Sequence, residues 1–370
     1  MSNTAINIVS FNVPYPPDYG GIIDVYYKVK ALFEAGIQVH LHCFEYGRKK
    51  NEALNAICAS VTYYPRAAMW KGFLSDKPFI VQSRNAPKLL SNLKKNTYPI
   101  LFEGLHCCYY LTHSALESRV KWVRMHNNEP EYYLHLGKNE KSFFKKVYFF
   151  AEYRRLIKYE WVLTYAQKIF CISQPETEFF SKRFDNAAYL PAFNGNTQVT
   201  SKSGIGQYIL YHGNLEVNEN VEAALYLIRE VFAKCNFPCV IAGANPSPEI
   251  LSATKMFDHI RIHANPDANE MLQLIQDAHI HYLPAFQSTG IKLKLLNALF
   301  NGRFCLVNDN MLTGTGLDEI TIQVNEVTAA LEKINELMNQ PFTEALIEKR
   351  KLVLQPFSDA ENVKKIINCL

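Results

Sequence analysis

The chain has 370 residues, 48% of them hydrophobic and 20% charged, and a formal net charge of +4. This length and composition predict a globular protein of two or three domains. No run of about 18 apolar residues is present, and the N-terminus lacks the basic and apolar regions of a signal peptide, so we expect a cytoplasmic protein without a transmembrane helix. The nine cysteines form no CxxC pair, which favours reduced thiols and argues against a zinc site.

Charge is unevenly distributed along the chain. Up to Gly195 there are 25 Lys and Arg against 16 Asp and Glu, whereas the remainder holds 14 against 19. Two halves of opposite sign indicate two domains with different partners. The basic half favours an anionic partner, such as a lipid-linked acceptor or a membrane face, and no nucleic-acid-binding signature accompanies it.

Strand-like runs alternate with helical patterns in the first half. The predicted strands are 5–12, 39–44, 61–65, 98–104, 120–126 and 168–173, and the predicted helices are 22–35, 129–165 and a helix from Gln174. The turn-rich loop after the first strand contains Asp18, Gly20 and Gly21. Glycine has no Cβ, so backbone amides there can approach a phosphate or a sugar, although Pro-Asp-Tyr-Gly-Gly is also typical of a plain turn.

The second half repeats the alternation after a polar linker at 191–206. Its predicted strands are 208–213, 239–243, 259–263, 279–284 and 304–309, and its predicted helices are 219–234, 247–256, 267–277, 290–300 and 325–338. We expect Asn218 or Asn220 to cap the first of these helices. This spacing predicts an α/β protein with doubly wound parallel sheets, which bind ligands at the carboxyl ends of their strands.

The segment Pro284–Asp309 reads as a strand end, a glycine-containing loop, an amphipathic helix and a buried strand. Gly290 lies at the predicted helix start, with Lys292 and Lys294 on the first turn. Unpaired amides from Thr289 to Ile291, a positive helix end and two ammonium groups favour a bound phosphate. The alternative is an ordinary turn between a strand and a helix.

A second candidate site follows the strand at 120–126. It has the sequence Arg124-Met-His126-Asn127-Asn128-Glu129, and the neutral imidazole of His126 offers one donor and one acceptor, which suits a sugar. The alternative is a helix N-terminus capped by Asn127 or Asn128. Glu103 ends another strand and could line the same cleft, or it could be a satisfied loop carboxylate.

Two of these segments, Arg124–Glu129 with the following Tyr132-Tyr133 and Ser288–Leu299 with Gly302, resemble retaining, family-4-like GT-B glycosyltransferases. The resemblance implies two Rossmann-like domains with a cleft between them: residues 1–195 on the acceptor side, residues 196–355 for the nucleotide sugar, and residues 356–370 packing back on the first. It implies a hexosyltransferase that moves a sugar from a nucleotide-diphosphate sugar to a glycan or lipid-linked acceptor. Such an enzyme would act in the synthesis of surface polysaccharides or glycolipids.

The resemblance also implies roles for particular residues. His126 would face the transferred sugar, with Asp18 and Glu103 as the other catalytic candidates. The substrate-binding residues would be Gly20, Gly21, Arg124, Asn127, Gly213, Asn214, Gly243, Thr289, Gly290, Ile291, Lys292, Lys294 and Asn297. No metal or cofactor is expected, because helix amides and lysines would neutralise the leaving diphosphate and no Asp-x-Asp motif is present.

Other interpretations stay open. Thr289 and Asn297 stand where the family usually has acidic residues, which favours a non-catalytic nucleotide-sugar-binding subunit, and a GT-B-fold sugar epimerase is a further alternative. An NAD-linked oxidoreductase is disfavoured, since no GxGxxG follows a predicted strand. The basic aromatic stretch 138–158 indicates either peripheral association with the inner membrane face or a helix with core aromatics and solvated charges.

Overall fold

The computed structural model describes residues 4–67, 75–287 and 292–370. The chain divides into two compact units, Met1–Phe193 with Asn362–Leu370, and Asn194–Glu361. The sequence placed the first boundary two residues later and began the C-terminal segment at residue 356. Within the described residues, no helix combines the length and the apolar character needed to cross a bilayer.

The first unit contains a seven-stranded parallel sheet with the strand order β3-β2-β1-β4-β5-β6-β7. Its strands are β1 Ala5–Ser10, β2 Gln38–Glu45, β3 Ser60–Pro65, β4 Ile100–Glu103, β5 Lys121–Met125, β6 Lys168–Cys171 and β7 Ala187–Tyr189. Its helices are α1 Gly20–Glu34, α2 Phe79–Gln82, α3 Pro87–Leu93, α4 Glu129–Asn139, α5 Phe143–Tyr159 and α6 Gln174–Ser181.

The central strands of this sheet are buried along their whole length. β1, β4 and β5 have no exposed residue, as expected of parallel strands covered on both faces. One of the two cores contains Ile6, Ile8 and Leu32 together with Val363 and Ile366. The last helix, α14, Asp359–Ile367, therefore contributes its apolar side chains from residue 362 onward to the first unit.

The second unit contains a six-stranded parallel sheet with the order β10-β9-β8-β11-β12-β13. Its strands are β8 Ile209–His212, β9 Cys239–Gly243, β10 Ile260–Ala264, β11 Ile280–Leu283, β12 Phe304–Val307 and β13 Ile322–Gln323. Its helices are α7 Asn218–Tyr226, α8 Pro248–Thr254, α9 Ala268–Asp277, α10 Leu293–Asn301, α11 Asp309–Leu312, α12 Val327–Leu337 and α13 Glu344–Leu354. The two doubly wound parallel sheets predicted from the sequence are confirmed.

Several element boundaries differ from the prediction. The helical stretch 129–165 is interrupted, because Glu140 and Ser142 have extended backbones and separate α4 from α5. α10 begins at Leu293, three residues later than predicted, since Lys292 has a non-helical ψ of 47°. α7 follows Val217, and neither Asn218 nor Asn220 caps it. β7, β13 and α13 were not predicted; the two strands have only three and two residues, too few to show a period.

Candidate functional site

The order of strands in the first sheet singles out the carboxyl ends of β1 and β4. These strands are neighbours, although the chain passes from β1 through β2 and β3 before it reaches β4. At such a switch point the loops after the two strands diverge and leave room for a ligand. Glu103 is the last residue of β4, and His126 directly follows β5, the next strand of the sheet. Two of the predicted catalytic residues therefore lie at this edge.

Four charged side chains form a fully buried network here. Lys28 Nζ lies 2.9 Å from Asp24 Oδ2 and 2.7 Å from Glu103 Oε1. Arg124 Nη2 lies 2.9 Å from Asp24 Oδ1, and its Nε is 3.1 Å from Asp24 Oδ2. All four side chains are 0% exposed. Two carboxylates balance two cations, which is the condition under which charges remain buried.

The two carboxylates of this network are ionised at neutral pH. Burial by itself raises the pKa of Asp24, but Arg124 and Lys28 outweigh it and hold that pKa well below its ordinary value. Burial likewise opposes ionisation of Glu103, and Lys28 with His126 holds the pKa of Glu103 below its ordinary value. The network is therefore a set of fixed charges beside His126.

His126 is held from one side and has one ring nitrogen unpaired. Its Nε2 lies 2.8 Å from Glu103 Oε2, so this nitrogen carries the donated proton. Its Nδ1 is 3.7 Å from Asp24 Oδ2, and this buried atom has no hydrogen-bond partner among the described residues. The ring of Phe11 packs edge-on against the imidazole at 5.3 Å. Nδ1 is thus an oriented polar atom that a hydroxyl could meet.

Gly21 lies close to the ring of Phe11 and to that nitrogen. A Cβ at this position would lie 2.9 Å from Phe11 Cζ and 3.8 Å from His126 Nδ1. Any larger residue would press on the ring that supports His126. The structure therefore gives a steric reason for a glycine here, while contact of Gly21 with a ligand stays a prediction.

Asp24, Glu103 and His126 resemble a metal-binding set, because one ligand atom from each lies within 4.8 Å of the others. The ammonium of Lys28 nevertheless occupies the position between the carboxylates, within 2.9 Å of oxygens from both. A divalent cation would have to displace Lys28 and would also meet the guanidinium of Arg124. These groups fit a network of ion pairs better than a metal centre.

Glu103 is a satisfied carboxylate, as the alternative interpretation of the sequence had it, whereas the burial of Arg124 was not anticipated. Both are wholly buried; Glu103 contacts Lys28 and His126, and Arg124 donates to Asp24 and to two backbone carbonyls after β7. Glu103 therefore positions His126, and Arg124 fixes Asp24. A direct catalytic or substrate-binding contact of either residue stays a prediction. Asp24 and Lys28 were missed. Their signal was an acid and a lysine four residues apart on the apolar face of α1.

The other predicted residues of the first unit lie around this network. Asp18 is half exposed and pairs with Arg48 instead of the network. Gly20 is the first residue of α1. Asn128 caps α4, since its side chain accepts from the backbone N–H of Glu131, so the predicted helix-start alternative is correct for this residue. Ligand contact by Asn127 stays a prediction.

Glu129 opens α4 next to this site and is buried with a histidine. Its Oε2 lies 3.7 Å from His106 Nε2. Burial raises the pKa of Glu129 to about 8, against the opposing attraction of Arg84, while burial and Arg84 lower the pKa of His106. At neutral pH the pair is therefore a protonated carboxyl beside a neutral imidazole.

Replacing Glu129 by Gln should flatten the pH dependence of stability. The folded carboxyl keeps its proton up to about pH 8, whereas an unfolded glutamate releases it near pH 4.3. The free energy of unfolding of the wild type should therefore fall as pH rises between these values. Urea unfolding from pH 5 to 8 measures this slope, with the exposed Glu131→Gln as control. Equal slopes for wild type and Glu129→Gln would contradict a protonated Glu129.

The second sheet has its own switch point between β8 and β11. Gly213 follows β8, and Gly243 ends β9. A Cβ on Gly243 would lie 1.7 Å from the carbonyl oxygen of Gly213, so only glycine fits between these strand ends. The side-chain oxygen of Asn214 accepts from the backbone N–H of Glu216 at 3.1 Å, which orders the loop that follows.

Lys294, from the first turn of α10, reaches β8 and the helix that follows it, α7. Its Nζ lies 2.6 Å from Asn220 Oδ1 and 3.4 Å from the hydroxyl of Tyr211, and it lies over the Tyr211 ring at 5.2 Å. Asn220 Nδ2 in turn donates to the carbonyl of Asn214 at 2.9 Å. Asn220 was expected only as a helix cap, so its part in this cluster was missed.

The charge of Lys294 is poorly balanced by the protein. Burial and, to a smaller extent, the neighbouring Lys292 lower the pKa of Lys294 to about 8, and the attraction of Glu219 only partly opposes this shift. Among the described residues, the Nζ of Lys294 hydrogen-bonds the neutral oxygens of Asn220 and Tyr211. A partly desolvated cation with neutral partners at a strand switch point is suited to receive an anion.

The remaining predicted residues of the second unit fall into two groups. Lys292 immediately precedes α10, and its Nζ lies 3.2 Å from the carbonyl of Gln287. Asn297 accepts a hydrogen bond from Asn301 Nδ2 at 2.9 Å. Ligand contacts of both stay predictions. The predicted phosphate-binding residues Thr289, Gly290 and Ile291 lie outside the described residues.

Comparison with known proteins finds no matching family model. A Klebsiella pneumoniae protein described as an uncharacterized 44.6 kDa protein in the cps region is 28% identical over 358 residues, which cover 90% of this chain and 91% of that protein. This similarity extends over nearly the whole chain, so it concerns both units.

Solved structures share the architecture at low identity. A glycosyltransferase from Rickettsia africae ESF-5 has a TM-score of 0.66 at 12% identity, covering 100% of this chain and 98% of that one. The N-terminal domain of Candida albicans trehalose-6-phosphate phosphatase has a TM-score of 0.64 at 11% identity, covering 99% and 96%. Arabidopsis thaliana UGT89C1, complexed with UDP-L-rhamnose, has a TM-score of 0.58 at 12% identity, covering 99% and 98%. With its two parallel-sheet α/β units, this chain therefore has the GT-B fold.

Proposed function

We propose that this protein is a glycosyltransferase that moves a sugar from a nucleoside-diphosphate donor to an acceptor hydroxyl. The observation that carries the proposal is the partly desolvated ammonium of Lys294 at the β8–β11 switch point, with neutral hydrogen-bond partners. The neighbouring glycosyltransferase and the UDP-L-rhamnose complex support the donor class, and the cps-region relative supports a use in surface polysaccharide assembly.

In this proposal the second unit binds the donor diphosphate. The ammonium of Lys294, aided by Lys292 and by the predicted backbone amides of residues 289–291, offsets negative charge on the leaving diphosphate. This charge neutralisation needs no divalent cation. Asn297 would hydrogen-bond the ribose, although an amide oxygen binds hydroxyls less strongly than a carboxylate does.

The first unit supplies His126 to the transferred sugar. With its Nε2 donating to Glu103, the ring would present Nδ1 to a hydroxyl of the transferred sugar. Asp24 and Glu103 are ion-paired and 0% exposed, which makes them poor covalent nucleophiles. We propose retention because the resembling family implies it, and without a covalent nucleophile the route would be front-face return, in which the leaving phosphate accepts the proton of the acceptor hydroxyl.

Nucleotide binding tests the donor site through Lys294. Lys294→Ala should weaken UDP or GDP binding by about 1–3 kcal/mol, the range for a hydrogen bond to a charged group. Wild-type affinity should fall as pH rises through about 8, because only the ammonium form attracts phosphate. The terminal phosphate ionises near pH 6 and no longer changes in this range. Calorimetry from pH 7 to 9 in EDTA measures both effects.

Two further variants sharpen this test. Lys294→Arg stays charged, so it should lose the transition near pH 8. Lys255→Ala removes an exposed lysine of the same unit and should leave binding unchanged. Unchanged affinity in Lys292→Ala, Lys294→Ala and the double variant together would reject this donor site.

A non-catalytic nucleotide-sugar-binding subunit is the second candidate. It is favoured by Asn297, whose side-chain oxygen already accepts from Asn301 and whose position usually carries an acid in the resembling family. Incubation of candidate donors in EDTA, first without and then with an added acceptor, followed by mass spectrometry and sugar analysis, separates the functions. Released sugar or transfer to an added acceptor supports the transferase, an epimerised donor indicates an epimerase, and a bound but unchanged donor indicates the subunit.

A further inference from the structure

The helical stretch Phe143–Tyr165 exposes large apolar side chains. It consists of α5 and the 3-10 helix Glu160–Tyr165. The exposed fractions are 85% for Phe144, 74% for Phe143, 53% for Trp161, 52% for Val147, 46% for Tyr165 and 43% for Ile157. A helix that packs only against its own domain would bury such residues in one stripe. We call this surface, together with the cations described next, the basic aromatic face.

The acidic and the basic side chains of this stretch differ in their exposure to solvent. Its only two acids, Glu152 and Glu160, are buried. Glu152 accepts from the backbone N–H of Phe79 at 2.6 Å, and Glu160 pairs with Arg183 at 2.5 Å. The exposed charged residues of the stretch are all cations: Lys145, Arg154 and Lys158. The basic aromatic face therefore presents apolar groups and positive charge without an acid of its own.

We infer that the basic aromatic face docks on an anionic lipid bilayer. Aromatic and aliphatic side chains beside lysine and arginine match the boundary of a bilayer, where rings enter the headgroup layer and cations meet lipid phosphates. A second copy of the same face would bring like charges together. An anionic polymer would use the cations but would leave Phe143, Phe144 and Ile157 in water. This inference goes beyond sugar transfer and does not depend on it.

Vesicle co-sedimentation of the full chain tests the inference. The protein should pellet with vesicles of phosphatidylcholine and phosphatidylglycerol, more weakly with phosphatidylcholine alone, and less as salt rises. Phe143→Ser/Phe144→Ser should weaken binding to the anionic vesicles about tenfold or more. The matched control is Met256→Ser/Leu352→Ser, whose residues are 78% and 76% exposed in the second unit and should not matter. Equal binding by both double variants, or no wild-type binding, would overturn the inference.

Trp161 provides a direct optical readout. Its emission should shift to the blue when anionic vesicles are added, and the shift should vanish in Trp161→Phe, which isolates this residue from the other two tryptophans. Light scattering of wild type and Phe143→Ser/Phe144→Ser without lipid tests the alternative occupant. A dimer that the double variant abolishes, with vesicle binding unaffected, would assign the face to a second copy and overturn lipid docking.

Discussion

Replacement of His126 by Ala should lower turnover by roughly 10²-fold or more, the range for a positioned polar catalytic group. The imidazole is fixed by Glu103 at 2.8 Å and supported by Phe11, so its Nδ1 is already oriented when a sugar arrives. An alanine removes that atom and leaves the second unit unchanged. Nucleotide affinity should therefore be retained while transfer is lost.

Steady-state kinetics beside nucleotide calorimetry, on variants shown to be folded, measure these two effects separately. His135→Ala removes an exposed histidine from α4 and should keep wild-type turnover. Near-normal turnover in His126→Ala would reduce His126 to a structural residue. Lost nucleotide binding in a folded His126→Ala protein would contradict the assignment of His126 to the sugar.

Replacement of Lys28 by Met should destabilise the fold by about 3–5 kcal/mol, the range for breaking a buried ion pair. Lys28 is 0% exposed and bridges Asp24 and Glu103. Methionine fills a similar volume but leaves two buried carboxylates with one fewer cation. The charge imbalance, and not a cavity, is the expected cause of the loss.

Urea unfolding measures this loss against a matched control on the same helix. Lys30→Met removes an exposed pair with Glu34 and should change the free energy of unfolding by about 0.5 kcal/mol or less. Equal losses in Lys28→Met and Lys30→Met would contradict a stabilising role for the buried network. If Lys28→Met fails to fold while Lys30→Met folds, the loss of stability is at least as large as the upper end of the predicted range.

The same network predicts a pH dependence with a definite sign. The pKa values of Asp24 and Glu103 are lowered in the folded protein, so their stabilisation is complete above the unfolded values near pH 4. It is lost as pH falls through the folded values. Stability should therefore decline below about pH 4 in the wild type. This decline should be shallower in Lys28→Met, in which the cation that lowers both pKa values is missing.

The sequence by itself determined the fold class and most strands. Buried parallel strands are continuous apolar runs, and the helices between them show a local period, so neighbouring residues carry enough information. It also predicted His126 and Lys294 as candidate site residues, because a strand end followed by a polar motif is a local signal. Short elements such as β13 could not be predicted from the sequence, since two residues cannot show a hydrophobic period.

Only the tertiary structure decided how these residues are used. Lys28 meets Glu103 across 75 positions, and Lys294 meets Asn220 across 74, and no local pattern specifies such contacts. The sequence could not tell whether Phe144 is core or surface, because an amphipathic pattern does not reveal which face the domain covers. It could not tell whether Glu103 faces solvent or a buried lysine. The hydrogen-bond partners, the burial and the pKa values of these side chains arise from long-range packing. The sequence therefore supplied the residue types of the candidate site, and the tertiary structure decided their arrangement.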